Sequence, residues 1–188
     1  MRAGAAPALS VGNTALIDRP AVAGWDMKSL LLVRHAKSSW DEQTLSDKDR
    51  PLAQRGKRDA PRMGKRLRER GVQPELIVSS PARRALATAQ SLARQLGYAK
   101  ERIEVDERLY PGDADRVLTM IRALQERLTR VMLVGHNPGL SELAHRFSRE
   151  ITHLPTCAVA EFEFDAASWS DIGRRSLTAV VFDYPKKA

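Results

Sequence analysis

The chain has 188 residues, of which 43% are hydrophobic, and this composition suits one globular domain and excludes a wholly disordered or collagen-like chain. Its single cysteine, Cys157, excludes an intramolecular disulfide and a cysteine-based zinc cluster, and it suits the reducing cytoplasm, where we expect the protein. The formal net charge of +8, from 31 Lys and Arg against 23 Asp and Glu, points to an anionic partner.

The first 26 residues have the composition of an extension rather than of a folded element. They contain two basic and two acidic side chains, so they add no net charge, and they are rich in alanine, glycine and proline. We expect a disordered extension over 1–26, with Met27 as an alternative start, rather than a cleaved signal sequence. The folded domain is then expected over 27–188. No apolar run in the chain approaches the roughly 20 residues that span a bilayer, so we expect no membrane segment.

After Met27, short apolar runs alternate with segments of helical periodicity. In chain order, the pattern predicts strands over 30–33, 76–78, 103–105, 131–134, 158–164 and 177–184, and helices within 50–70, 83–96, 117–128 and 140–147. Runs such as 30–33 and 131–134 are apolar throughout, which is typical of strands buried on both faces. The alternation therefore predicts an α/β three-layer sandwich with a mostly parallel central sheet.

The segment 50–70 carries most of the net charge. It contains nine basic and two acidic residues, a net charge of +7. Ala60, Met63 and Leu67 fall at helical spacing, which predicts an amphipathic helix with a basic outer face, and Pro61 is expected in an early turn or at a kink. Such a face suits either a nucleic-acid contact or a solvated helix surface. We favour the solvated surface, because no aromatic residue lies among the charges to stack on bases.

Charged and imidazole side chains follow three of the predicted strands. Arg34 and His35 follow the first strand, Arg83 and Arg84 follow the strand over 76–78, and His136 follows the strand over 131–134. In a parallel α/β sheet, ligands bind beyond the carboxyl ends of the strands. We therefore expect two imidazoles and at least two guanidiniums around one pocket, where they would suit a phosphoryl group.

These residues resemble the motifs of the histidine phosphatase superfamily, also called phosphoglycerate-mutase-like. Arg34-His35-Ala36 stands where the family has Arg-His-Gly, and His136 matches its second histidine. Residues 80–89 match the pattern Ser-Pro-x-x-Arg-Ala-x-x-Thr-Ala, which makes Arg84 the second pocket arginine. The resemblance runs from about residue 30 to residue 165 and includes the Arg-Pro-Leu of 50–52. It implies a phosphoglycerate-mutase-like fold, and the compact size looks most like the SixA-type phosphohistidine phosphatase branch.

The resemblance implies a metal-independent phosphatase that acts through a phosphohistidine intermediate. His35 would attack phosphorus as a neutral imidazole, and water would then hydrolyse the phosphohistidine. Arg34, Arg84 and a protonated His136 would bind the phosphoryl oxygens and stabilise their charge. We expect no cofactor and no metal, because the protein itself supplies the countercharge. Neighbouring positive groups favour the neutral form of His35, since they oppose a further positive charge.

The acid that protonates the leaving group is less clearly marked. By analogy with the family it lies within 105–113, where we prefer Glu107 to Asp113. The alternative for Glu107 is a surface ion pair with Arg108 or Arg102. A phosphohistidine substrate would relax the need for an acid, because imidazole has a pKa of about 6.5 and is a far better leaving group than an alkoxide.

Three other residues could in principle suggest a cysteine phosphatase or a metal site, but their sequence context does not support either. Cys157 is not expected to be the nucleophile of a cysteine phosphatase, because Glu163 stands at the arginine position of the required Cys-x5-Arg loop. His145 and His153 show no spacing that is typical of metal ligands, and we expect ordinary surface or cap residues.

Two other functions stay open at this point. A phosphomutase would return the phosphoryl group to a sugar-acid substrate, but the larger lid segments that the family implies for mutases are not evident in this chain. A non-enzymatic module would bind nucleic acid or an acidic protein through 50–70. As partners of the phosphatase we expect a phosphorylated substrate, including a protein that carries phosphohistidine, and neither nucleic acid nor a membrane.

Overall fold

A six-stranded sheet forms the centre of the computed structural model, which describes residues 27–42 and 44–187. The extension predicted over 1–26 lies outside the described residues. The elements are, in chain order, β1 (Met27–Arg34), α1 (Gln54–Glu69), β2 (Leu76–Ser79), α2 (Arg83–Leu96), β3 (Glu104–Val105), α3 (Ala114–Arg122), β4 (Arg130–Gly135), α4 (Gly139–Phe147), β5 (Val159–Asp165) and β6 (Leu177–Asp183). None of the helices in this part of the chain is long and apolar enough to cross a membrane.

The sheet has the strand order β3-β2-β4-β1-β5-β6. The first four of these strands run parallel to one another, whereas β5 is antiparallel to β1 and β6 is antiparallel to β5. Three of the five strand pairs are therefore parallel. The prediction of an α/β fold with a mostly parallel sheet is confirmed.

Helices cover both faces of the sheet because the apolar side chains of its central strands point alternately to each face. In β1, Leu30 and Leu32 pack into the core on the side of α3 and α4. Leu31 and Val33 pack into a second core on the side of α1 and α2. All four side chains are 0% exposed, and the two cores give the three predicted layers.

Two helices differ in detail from their sequence patterns. The spacing of apolar residues predicts a helix through residue 128, but α3 ends at Arg122. Leu124 and Leu128 lie in tight turns, where their amides donate to carbonyls three residues earlier, and they still pack against the core of α3 and α4. The pattern thus reports burial rather than helix length. Pro61 is the eighth residue of α1 and lies beyond its first turn.

The parallel strands bring three loop starts together at one edge of the sheet. The central strand β4 lies between β2 and β1, with Val134 level with Ser79 and Gly135 level with Arg34. The residues that follow these three strands therefore leave the sheet side by side, as the sequence predicts.

Candidate active site

His35 directly follows β1, and the backbone holds its ring in one orientation. Its Nδ1 lies 2.8 Å from the carbonyl oxygen of Ala36. Because a carbonyl oxygen only accepts hydrogen bonds, Nδ1 carries the ring proton and donates it. The opposite nitrogen, Nε2, accepts from Nε of Arg84 at 3.3 Å. His35 therefore presents the lone pair of Nε2 to the arginine side of the site.

His136 follows β4 and lies beside His35, with 4.9 Å between the ring centroids. Its Nε2 is 2.7 Å from Oγ of Ser80, the first residue after β2. Its Nδ1 is 3.4 Å from Nη2 of Arg84. Because a guanidinium only donates, Nδ1 accepts, and the proton of the neutral ring lies on Nε2 towards Ser80. The ends of β1, β2 and β4 thus each contribute to one cluster.

Arg84 is the buried member of the arginine pair that opens α2, whereas Arg83 is exposed. Its guanidinium contacts both histidines, and Arg84 is the arginine that the motif of 80–89 assigns to the pocket. One turn later, Thr88 donates to the carbonyl oxygen of Arg84 at 2.7 Å and accepts from the amide of Ala36 at 3.0 Å. This buried hydroxyl ties the start of α2 to the loop that carries the first histidine.

Arg34 lies at the end of β1 and is anchored from the opposite side. Its Nη1 donates to the carbonyl oxygen of Leu154 at 2.8 Å and lies 3.4 Å from Nε2 of His153. Its Nε is buried and has no hydrogen-bond partner among the described residues. His153, which the sequence suggested as an ordinary surface residue, therefore lies against a candidate site arginine.

The environment of His35 favours the neutral ring. Burial lowers its pKa from 6.5 to about 4, and the charges of Arg84, Arg34 and Arg50 act in the same direction, although the hydrogen bond to Ala36 opposes them. A neutral imidazole with a free Nε2 is the form that can act as a nucleophile.

The same environment also keeps the proton off His136. Burial, followed by the neighbouring His35 and Arg84, lowers its pKa to about 3, and the carboxylate of Asp47 only partly offsets this effect. The protonated His136 expected from the sequence is therefore not the form of the free protein at neutral pH. The physical reason is that burial and the positive charges around His136 together outweigh the single nearby carboxylate of Asp47.

Two further residues complete the cluster, and sequence reasoning missed both. Asp47 accepts from Nη2 of Arg84 at 2.8 Å and from the hydroxyl of Tyr110 at 2.9 Å. The ring of Tyr110 packs edge-on against His136, with 5.4 Å between centroids. The available signals were a carboxylate three residues before the Arg-Pro-Leu of 50–52 and an aromatic residue three positions after Glu107.

Comparison with known proteins relates this arrangement to a family. A family model described as histidine phosphatase superfamily (branch 1) matches residues 30–113. An uncharacterised chloroplastic protein of Arabidopsis thaliana is 32% identical over 152 residues, which cover 77% of this chain and 70% of that protein. The chain belongs to the histidine phosphatase superfamily. The resemblance inferred from its motifs is confirmed.

Solved structures of histidine phosphatases share the fold over most of their length. The SixA structure from Agrobacterium tumefaciens has a TM-score of 0.69 and 27% identity, and the match covers 82% of this chain and 97% of that chain. The protein histidine phosphatase SixA in complex with tungstate has a TM-score of 0.70 and 25% identity, with 84% and 97% covered. These neighbours confirm the phosphoglycerate-mutase-like fold and the likeness to SixA.

Mutases of the same superfamily match a smaller part of the chain. The 2,3-bisphosphoglycerate-dependent phosphoglycerate mutase of Bartonella tribocorum is 36% identical over 72 residues, which cover 37% of this chain and 35% of the mutase. As a member of the histidine phosphatase superfamily, the chain is an enzyme, a phosphatase or a mutase. This membership favours the enzymatic hypotheses over a non-enzymatic binding module.

Neither candidate acid of this histidine phosphatase forms a hydrogen bond to His35 or His136 among the described residues. Both carboxylate oxygens of Glu107 accept from Nζ of Lys48 at 3.0 Å, and its side chain is 72% exposed. This is a surface ion pair, with a different partner from those the sequence suggested. Lys48 also lies 5.7 Å from the ring centre of Tyr110, so Glu107 is at the rim of the site. Asp113 caps the start of α3 by accepting from the amide of Arg116 at 2.8 Å.

Cys157 takes no part in this chemistry. It is buried, and burial raises the pKa of its thiol to about 12, so the reactive thiolate is absent at neutral pH. Its amide donates to the carbonyl oxygens of Arg34 and His35, both at 3.1 Å. Cys157 therefore supports the backbone at the end of β1.

Proposed function

We propose that the protein is a metal-independent phosphatase that forms a phosphohistidine on Nε2 of His35 and transfers the phosphoryl group to water. Its substrate is a phosphoramidate, protein phosphohistidine above all, or another small phosphorylated compound. The observation that carries the proposal is the fixed, neutral His35, whose Nε2 faces Arg84 beside a second histidine. Arg34, Arg84 and His136 bind the phosphoryl oxygens in this proposal.

In the first step, the lone pair of Nε2 forms a bond to phosphorus while the bond from phosphorus to the leaving group breaks. The electron pair of the broken bond stays on the leaving nitrogen or oxygen. The planar forks of Arg84 and Arg34 donate to the equatorial oxygens, on which negative charge is spread during transfer. Because both arginines are fixed by the protein before the substrate binds, little reorganisation is needed as the charge develops.

In the second step, water attacks the phosphohistidine of His35. A new P–O bond forms, the P–Nε2 bond breaks, and its electron pair returns to Nε2. The phosphorylated ring, with its proton still on Nδ1, carries a positive charge, so it leaves as a neutral imidazole. The charges balance when both protons of the water depart on dihydrogen phosphate. The hydrogen bond from Nδ1 to Ala36 thus keeps one tautomer throughout the cycle.

The proton on His136 arrives with the substrate in this proposal. Its low pKa in the free protein results from burial among positive groups. A phosphoryl dianion placed between the two rings reverses the local charge and favours the imidazolium form. His136 then donates to a phosphoryl oxygen only when that oxygen is present, which favours the bound anion over the empty site.

The position of Glu107 supports a phosphoramidate as the preferred substrate class. A phosphohistidine that is protonated on its second ring nitrogen releases neutral imidazole, so it needs no proton from the protein. An alkoxide, with a far higher pKa, needs an acid at the leaving oxygen. Glu107 is the proposed acid for such substrates, and its exposed ion pair with Lys48 is a weak position for a proton donor.

The test is to react the protein with a labelled phosphodonor and to locate the label. We expect an acid-labile, alkali-stable phosphoryl group on His35, and loss of turnover by several orders of magnitude in His35→Ala, because the nucleophile is removed. His145→Ala, which removes a histidine outside the cluster, is the matched control. Full turnover in His35→Ala would overturn the proposed mechanism.

The products separate a phosphatase from a mutase. We expect inorganic phosphate from protein phosphohistidine and from small phosphoramidates. A phosphorylated sugar acid that is returned with its phosphoryl group at a new position, without release of phosphate, would favour the mutase instead. The cytoplasmic location expected from the single cysteine stays a prediction.

A further inference from the structure

Arg84 is held along two edges of its planar guanidinium. Nε and Nη2 face the histidines, at 3.3 Å from Nε2 of His35 and 3.4 Å from Nδ1 of His136. Nη1 and Nη2 face Asp47, where Nη1 donates to the backbone carbonyl and Nη2 donates to Oδ2 at 2.8 Å. We call these the inner and the outer edge. Because all five donors lie in one plane, a partner that fixes the outer edge also fixes the direction of the inner edge.

Asp47 is itself fixed by two further side chains. Its Oδ1 accepts from Nη1 of Arg50, and its Oδ2 accepts from the hydroxyl of Tyr110, both at 2.9 Å. Arg50 is 7% exposed and also donates to Oγ of Ser38 at 2.8 Å and to the carbonyl oxygen of Ser39 at 3.0 Å. The carboxylate is thus anchored by residues from three segments of the chain, although the Asp47 side chain is 50% exposed.

The carboxylate of Asp47 is ionised at neutral pH. Partial burial acts to raise its pKa, but hydrogen bonds from Arg84, Tyr110 and Arg50 and the charge of Arg84 outweigh burial and lower the pKa to about 2. Hydrogen bonds between a guanidinium and an ionised carboxylate are stronger and more directional than those between neutral groups. Asp47 can therefore hold Arg84 throughout the pH range in which His35 is neutral.

We propose that Asp47 is a positioning residue that holds the outer edge of Arg84, so that the inner edge faces the phosphoryl group bound beside His35. This inference rests on the proposed function, because it takes the phosphoryl group as the ligand of the inner edge. The competing interpretation is that Asp47 occupies the place of the phosphoryl oxygens and has to be displaced. The two interpretations predict opposite effects of removing the carboxylate.

The first test measures the affinity for sodium tungstate, a tetrahedral oxyanion, by calorimetry. We expect Asp47→Ala and Asp47→Asn to bind tungstate more weakly, by roughly tenfold for Asp47→Ala, because an unanchored guanidinium must be ordered on binding. Asp49→Asn is the matched control, since Asp49 lies in the same turn and its carboxylate accepts from Ser46, with no other hydrogen-bond partner among the described residues. Tighter tungstate binding by either Asp47 variant would overturn the proposal in favour of displacement.

The second test asks whether the effect depends on Arg84. Lysine has a single ammonium group with no planar fork, so it gains little from an anchor behind it. We expect Asp47→Asn to change tungstate affinity less than twofold in an Arg84→Lys background. An equal loss in both backgrounds would mean that Asp47 only supports the fold, and it would overturn the positioning role. Because Asp47→Asn keeps the shape of the side chain, it serves where Asp47→Ala fails to fold.

A spectroscopic signature separates positioning from general destabilisation. The buried Nε–H of Arg84 should give a resolved ¹H–¹⁵N signal that shifts in Asp47→Asn and is unchanged in Asp49→Asn. An unshifted Arg84 signal in Asp47→Asn would contradict the proposal. Tungstate binding requires no turnover, so these results stand even where His35→Ala retains activity and the proposed function fails.

Discussion

At the scale of single residues, the two histidines lie in a buried site that favours their neutral forms. His35 and His136 have pKa values of about 4 and about 3, whereas an unfolded chain binds protons on histidine near pH 6.5. Between these values the unfolded state holds more protons than the folded state. Stability therefore rises with pH in this window and is lost as the pH falls from about 6.5 towards 4.

We predict a loss of about 2 kcal/mol of unfolding free energy per histidine at pH 5 relative to pH 8. Denaturant unfolding at a series of pH values measures it. His35→Gln and His136→Gln should each remove about half of the pH dependence, because glutamine does not titrate. A dependence that is equally steep in the variants would show that other groups are responsible.

A second residue-scale prediction concerns Glu107. If the leaving imidazole needs no acid, Glu107→Gln should change kcat/KM for a phosphohistidine protein by less than about threefold. For a phosphomonoester, whose alkoxide does need a proton, we expect a fall of roughly 10²-fold or more, since general acids contribute about that much.

Asp113→Asn is the comparison variant for the Glu107 experiment. Asp113 is the alternative acid, but it caps α3, and asparagine caps a helix equally well. We therefore expect Asp113→Asn to change stability little and to leave the ratio of kcat/KM for the two substrates unchanged. A large loss of phosphohistidine hydrolysis in Glu107→Gln would show that the glutamate acts on both leaving groups.

At the scale of elements, the loop after β1 is held to α1 by a close backbone approach. A Cβ added at Gly56 would lie 2.2 Å from the carbonyl oxygen of Lys37, and the same carbonyl accepts from the amide of Ala53 at 2.9 Å. The first turn of α1 thus packs directly on the loop that follows His35. Only glycine leaves room for this approach without a shift of backbone.

We predict that Gly56→Ala destabilises the protein by about 1–3 kcal/mol, a typical range for overpacking, and lowers Tm by several degrees. Activity should fall as well, because the shifted backbone is two residues from His35. Gly173→Ala is the control, since a Cβ there meets nothing within 4 Å and Gly173 has no positive φ. Equal Tm values for the two variants would contradict the packing argument.

Most helices and strands could be predicted from the sequence, because buried apolar residues recur with the period of a helix or form the continuous runs of a buried strand. The run over 30–33 and the helix over 83–96 both appear where the pattern places them. Motif residues at strand ends could be predicted for the same reason, since parallel strands end at one edge. Asp47 could not, because its role depends on how a polar loop folds over α2, and no periodicity records that contact. The protonation state of His136 could not be predicted from the sequence either, because its pKa depends on the combined effect of burial and of the neighbouring charges.

At the scale of the whole molecule, the fold pairs most of the basic side chains of the segment 50–70 with carboxylates. Six of its nine basic side chains form ion pairs with described carboxylates: Arg50, Arg55, Arg58, Lys65, Arg66 and Arg70. The partners include Glu161 of β5 and Asp183 of β6, so part of this charge ties α1 to the antiparallel edge of the sheet. Lys57, Arg62 and Arg68 are exposed and have no ion pair within the described part of the chain.

This distribution predicts weak DNA binding with a shallow dependence on salt. Each phosphate that a protein neutralises contributes about −0.9 to the slope of log K against log salt concentration. Three unpaired cations on α1 therefore allow a slope no steeper than about −3, whereas engagement of the full +7 of the segment would give about −6. Titration of duplex DNA between 50 and 200 mM salt measures the slope.

The double variant Lys57→Ala, Arg62→Ala should remove most of this salt dependence, while His35→Ala should leave it unchanged. A slope near −6 in the wild type would mean that the ion pairs open on DNA, and the segment would then be a nucleic-acid surface after all.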